Sequence, residues 1–162
     1  MGQNIQKKFN AAQNEIRIAI MNFVINNKKA FNITLDGFSA LDGPKLSRQS
    51  DFMEIIDALG KKDGIVADET GNINFVYPVS ALPTRHRVRL ADGREFTAMC
   101  AIDALGAAFT FEQDSEVFSN CSVCEQSIYV QLCAGKVVKA IPGDLRVLSF
   151  ELDEIVNWAG SC

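Results

Sequence analysis

Apolar positions recur at helical spacing in two stretches of the first half of the chain. "NEIRIAIMNFVIN", residues 14–26, sets Ile16, Ala19, Ile20, Phe23 and Val24 on one face, the i, i+3, i+4 pattern of an amphipathic helix. "NNKKAFN" ends it. "SRQSDFMEIIDALGKKDG" repeats the period with Phe52, Ile55, Ile56 and Leu59. A polar cap candidate precedes these residues, and Gly60 with two lysines follows, which suits a helix C-terminus. The period then drops to two. "GIVADETGNINFVYP" alternates on either side of Thr70–Asn72 and predicts a hairpin. Helices followed by a hairpin describe a small winged-helix-like unit over residues 1–80.

The second half carries a different pattern. Pro78 and Pro83 keep "SALPTRHRVRL" extended. "HRVRL-ADG-REFTA" predicts a hairpin with Asp92-Gly93 at its turn. "TAMCAIDALGAAF", residues 97–109, follows as a buried helix, with Thr97 as its expected N-cap and Ala98 as its first residue. "SIYVQLC", "KVVKAI" and "LRVLSFEL" are three strand candidates, split by Ala134-Gly135 and by Pro142-Gly143-Asp144. "DEIVNWAG" predicts a short final helix. The fold class is therefore α+β: the winged-helix-like unit, then an antiparallel sheet packed with helices over residues 81–162. No repeat or low-complexity segment is present.

Composition narrows the function classes. Apolar residues make up 48% of 162, enough for a core in one domain or two small ones. Residues 1–80 hold nine Lys/Arg and nine Asp/Glu, against seven and eleven in residues 81–162. No basic patch points to nucleic acid. No apolar run is long enough for a membrane helix, and the N-terminus makes a poor signal peptide. Gly2 suggests myristoylation, but Gln6 stands where that motif wants Ser or Thr. The expected location is the cytoplasm.

All five cysteines, Cys100, Cys121, Cys124, Cys133 and Cys162, lie in the second half. An odd number in a cytoplasmic chain argues for reduced thiols and against a disulfide framework. In the helix 98–109, Cys100 would sit in the first turn, where exposed N–H groups and the dipole favour a thiolate. Asp103 would lie one turn on, on the same face. A carboxyl beside a thiolate resists ionising and can serve as a proton donor near pH 7. On spacing alone the pair reads first as a helix cap and a core thiol, and only then as chemistry. "NCSVCEQS" supplies Cys121-x-x-Cys124, half of a zinc site or a redox pair. Cys133 and His86 are loose candidates for the missing ligands, but their spacing fits no finger. A redox pair wants a strand-to-helix junction, and strands follow here. His86, between two arginines in a strand, reads as a surface or packing residue. Cys133 reads as a small apolar core residue, and Cys162 as a terminal thiol whose segment Ile155 and Trp158 could anchor.

Taken together, these stretches resemble the organomercurial (alkylmercury) lyase family. "LPTRHRVRLADGREFTAMCAIDAL" resembles its strand-turn-strand and following helix, with the Pro-Thr-x-His-Arg run and the Cys-Ala-x-Asp core. "SNCSVC" is similar to its segment around a second cysteine, and "NWAGSC" falls where the third stands. The resemblance implies that Cys100 and Cys162 bind mercury, that Asp103 shuttles protons, and that Cys121 is a supporting, largely structural cysteine. It implies protonolysis of the carbon–mercury bond to a hydrocarbon and Hg2+, with no built-in cofactor. The substrate would be an organomercurial, and cellular thiols or a mercuric ion reductase would accept the Hg2+. Cys124 and Cys133 have no place in the family pattern. A second class fits the cysteines too: a non-catalytic soft-metal-binding protein holding mercury, copper or zinc through Cys100, Cys121 and Cys124. A third is a winged-helix regulator with a metal-sensing half, although balanced charge suits phosphate poorly.

Overall fold

The computed structural model describes residues 8–44 and 49–147, and the chain divides into two compact units, Met1–Tyr77 and Pro78–Cys162. In the first unit, helix α1 (Ala11–Asn27) starts at a capping box. The Asn10 side chain accepts the Gln13 N–H at 2.9 Å, and the Gln13 side chain accepts the Asn10 N–H at 3.1 Å. Two otherwise orphaned helix donors are thereby satisfied. The buried face includes Ile16, Ala19, Ile20 and Val24, as the spacing predicts, and widens to Met21 and Ile25. Helix α2 (Gln49–Lys61) buries Phe52, Ile56 and Leu59.

Three strands complete this unit: β1 (Phe31–Asn32), β2 (Ile65–Ala67) and β3 (Asn72–Val76). Both outer strands pair antiparallel with β3, through Phe31↔Ile73 and Ile65↔Val76. The predicted hairpin is β2–β3, and β1 is an addition to it. Phe31 meets Phe23 and Phe52 edge-on, at 5.1 and 6.3 Å between ring centroids, a favoured aromatic geometry. The described residues thus give two α-helices and a three-stranded sheet.

One charge lies inside this core. Arg17 is 1% exposed. Its Nη1 donates to the Tyr77 carbonyl at 2.6 Å, its Nη2 donates to Asn14 Oδ1 at 3.1 Å, and its guanidinium stacks 5.0 Å over Phe9. Burial lowers its pKa to about 10, so it stays charged at neutral pH. Arg17→Ala removes the charged hydrogen bonds and the stack together. It is expected to cost about 2–4 kcal/mol, read as a lower urea midpoint at unchanged slope.

Among the described residues, the second unit is a six-stranded antiparallel sheet with one helix against it. Its strands are β4 (Val79–Ser80), β5 (His86–Leu90), β6 (Glu95–Ala98), β7 (Ser115–Asn120), β8 (Ser127–Cys133) and β9 (Lys136–Ile141). Their order across the sheet is β4-β6-β5-β7-β8-β9. Helix α3 (Ala101–Thr110) packs on β5, β6 and β7. Its Ala104, Ala107 and Ala108 are buried, and their small side chains suit close packing of the helix on these strands. The β5–β6 turn is the predicted one: the Gly93 N–H donates to the Leu90 carbonyl at 2.9 Å, and Gly93 sits at φ +87°, where a side chain would be strained.

Three expectations change here. The spacing between helix and hairpin hid β7, which pairs with β5 and β8. Leu145–Val147, the described part of the "LRVLSFEL" candidate, is not strand, and the remainder lies outside the described residues, as does the predicted "DEIVNWAG" helix. Thr97 does not cap α3. Pairing of Val79 with Ala98 and of Ser80 with Thr97 carries β6 through Ala98, so the helix begins only at Ala101.

Candidate active site at the start of helix α3

The later start of α3 makes Cys100 its N-cap residue, in extended backbone at φ −142° and ψ 179°. Asp103 becomes the third helical residue. That is the position from which a side chain reaches back to the N-cap N–H. The Asp103 carboxylate accepts hydrogen bonds from both the backbone N–H and the thiol of Cys100. Thiol and carboxyl therefore meet because a capping geometry holds them, and the predicted shared face is real.

Their surroundings differ sharply. Cys100 is half-buried. Asp103 is 2% exposed, and its Oδ2 has no hydrogen-bond partner. Burial raises the Asp103 pKa to about 7, against the opposing pull of the two hydrogen bonds from Cys100. A carboxyl in that range is partly protonated at neutral pH and suits a proton donor. An unpartnered buried oxygen is costly when charged, which favours the protonated carboxyl.

The backbone leading into Cys100 is held by three hydroxyls. Thr84 Oγ1 donates to the Ala98 carbonyl at 2.6 Å. Thr97 Oγ1 donates to the Leu82 carbonyl at 2.9 Å, and Ser80 Oγ donates to the same carbonyl at 2.7 Å. Ser80 and Thr84 went unread in the sequence, and Thr97 was read as a helix cap rather than as a tie to the Leu82 carbonyl. The Pro83-Thr84 step was their signal, since a hydroxyl after a proline-fixed turn is placed to bind nearby backbone. His86 closes the row. Its Nδ1 lies 2.8 Å from Ser119 Oγ, and burial, then the Arg85 charge, lowers its pKa. It is a neutral packing residue on β5.

The remaining cysteines separate. Cys121 and Cys124 lie in the turn between β7 and β8. Cys133 ends β8 at the opposite end of the sheet, half-buried, with its thiol hydrogen-bonded to the Asp114 carboxylate. It is a strand-end thiol with a polar partner, which corrects the expectation of a core filler. Among the described residues no three His, Cys, Asp or Glu side chains gather as a metal site. Within those residues, neither His86 nor Cys133 is gathered with Cys121 and Cys124, and Cys100, Cys121 and Cys124 do not form a three-cysteine cluster. Cys162, Ile155 and Trp158 lie outside the described residues.

No described helix is long and apolar enough to cross a membrane. No curated protein matches the chain. Among solved structures, the mercury-bound form of MerB2 superposes with a TM-score of 0.59 at 22% identity, covering 86% of this chain and 64% of that one. The likeness establishes a shared fold, and the chain spans less than two thirds of that protein's length. The profile of the alkylmercury lyase family matches residues 79–162, just over half of the chain and the whole segment that carries β4–β9, α3 and the five cysteines. The protein belongs to the alkylmercury lyase family.

Proposed function

We propose that this protein cleaves carbon–mercury bonds by protonolysis, with Cys100 as mercury-binding thiol and Asp103 as proton donor. One observation carries the reading: the Cys100 thiol is hydrogen-bonded to a buried carboxyl whose pKa lies near 7. Mercury is soft and prefers thiolate to oxygen ligands. When an organomercurial cation bonds Cys100 Sγ, the thiol proton passes to Asp103 along the existing hydrogen bond. A second thiolate on the same mercury, assigned to Cys162 by the family resemblance, pushes electron density toward carbon. Asp103 then delivers its proton to that carbon, the carbon–mercury bond breaks, and a hydrocarbon leaves. Hg2+ stays on the two thiolates until external thiols, or a mercuric ion reductase, displace them. No electrons are exchanged, so the step needs no resident cofactor.

In this account Cys121 supports the turn after β7, and the first unit is a winged-helix-like support. The reaction suits a reducing cytoplasm, where thiols stay free to exchange. Turnover is measured as benzene released from a phenylmercury salt in excess thiol. Many equivalents of benzene per chain are expected. Stoichiometric mercury binding without benzene would favour a non-catalytic thiol metal-binding protein instead.

A further inference from the structure

The turn between β7 and β8 holds two thiols that this chemistry does not use as reactants. We propose that Cys121 and Cys124 form a second soft-metal site, a two-coordinate dithiol that accepts Hg2+ leaving Cys100. The choice of Hg2+ as cargo rests on the reading of the protein as a carbon–mercury lyase.

The turn is built around the Cys121 sulfur. The Cys121 N–H donates to the Gln126 carbonyl at 2.9 Å, and the Glu125 N–H donates to the Cys121 carbonyl at 3.0 Å. Glu125 takes a left-handed conformation at φ +57°, which tightens the loop and is unusual for a side chain other than Gly or Asn. Within the loop, the backbone N–H groups of Cys124 and Val123 lie on the side of the Cys121 sulfur and favour its anionic form. The Cys121–Gln126 and Glu125–Cys121 backbone bonds close the loop across the Cys121-x-x-Cys124 span and keep the two cysteines near one another. A soft d10 ion bridging them needs a separation of roughly 4–4.6 Å at metal–sulfur bonds near ~2.3 Å. Cys124 is exposed and Cys121 half-buried, so an incoming ion can reach them.

Ligand count selects the cargo. With no third His, Cys, Asp or Glu gathered there among the described residues, the pair suits an ion content with two thiolates. Zinc usually wants four ligands. Soft Hg2+ is held by two.

Sheet register places this turn at the same end of the sheet as Cys100. Ala98 pairs with His86, and His86 pairs with Ser119. Ala98 and Ser119 are therefore two strand spacings apart, about 10 Å. Cys100 follows Ala98 by two residues, and Cys121 follows Ser119 by two. Both thiol-bearing segments leave the same end of the sheet. The Arg85–Glu125 ion pair ties the segment before β5 to the turn. Transfer is ligand exchange: two sulfur–mercury bonds form at Cys121 and Cys124, and two break at the donor thiolates. The two displaced protons move to those thiolates, and no oxidation state changes.

The test uses HgCl2 alone, so it is independent of carbon–mercury cleavage. The full chain is loaded, desalted in a monothiol buffer, and its mercury counted by elemental mass spectrometry. Cys124→Ser, at an exposed position, is expected to lower retained Hg2+ by about one per chain. Cys121→Ser is expected to give the same loss. A chain with Cys100, Cys133 and Cys162 all replaced by Ser is expected to keep about one Hg2+, with two thiols lost to a thiol reagent. Unchanged retention in Cys124→Ser, or no Hg2+ on a folded chain keeping only Cys121 and Cys124, would overturn the proposal. A failure of benzene release with mercury retention intact would sink the lyase reading and leave this site standing.

Discussion

Cys100→Ser is expected to reduce benzene release from phenylmercury to the rate seen without protein. The hydroxyl keeps the size and the N-cap role, since serine is a preferred N-cap residue. Stability should therefore change little, by less than about 1 kcal/mol. What disappears is the soft ligand. Oxygen does not hold mercury against the thiols in the assay, so no organomercurial is seated beside Asp103 and the carboxyl has no bound carbon to protonate. Steady-state benzene release alongside a thermal melt separates these effects. A variant that folds like wild type and cleaves at the wild-type rate would remove Cys100 from the mechanism.

Asp103→Asn is expected to affect rate and stability in different ways. Removing a positioned proton donor typically costs 10²–10⁴-fold, so a loss of about 10³-fold in cleavage is expected. Mercury binding should persist, because Cys100 remains. The stability effect depends on pH. Asp103 has a folded-state pKa of about 7, raised from about 3.9 in the unfolded chain. A raised pKa stabilises the fold fully below the unfolded value, and that contribution is lost as pH climbs through the folded value. Between about pH 4 and pH 7 the wild-type unfolding free energy should fall relative to Asp103→Asn. The steepest decline is about 1.4 kcal/mol per pH unit. Above about pH 7 the two curves should run parallel. Urea titrations at several pH values read this directly, and parallel curves throughout would show that Asp103 is an ordinary carboxylate.

The sequence made some of this legible and hid the rest for physical reasons. The faces of α1 and α2 were visible because Ile16, Ile20, Phe52, Ile56 and Leu59 repeat at helical spacing. The β5–β6 hairpin was visible because Asp92-Gly93 demands a turn. Strand β7 was hidden because two of its three inward positions are Ser115 and Ser119, leaving Val117 as the only apolar marker. The start of α3 was misplaced because Thr97 is an excellent cap in isolation. Pairing with the two-residue strand β4 claims it instead, and no local pattern announces so short a partner. The site itself was legible as a spacing, Cys100 to Asp103. Its electrostatics were not. Burial of Asp103 depends on alanines of α3 lying close against β5–β7, a tertiary fact that no residue spacing encodes.

The most direct measurement is the intact mass of the protein after a single equivalent of phenylmercury, compared between wild type and Asp103→Asn, with benzene counted in the headspace. Wild type is expected to carry bare mercury and to release one equivalent of benzene. Asp103→Asn is expected to accumulate the phenylmercury adduct on Cys100 with its phenyl group still attached. An Asp103→Asn adduct that loses its phenyl group at the wild-type rate would contradict the account.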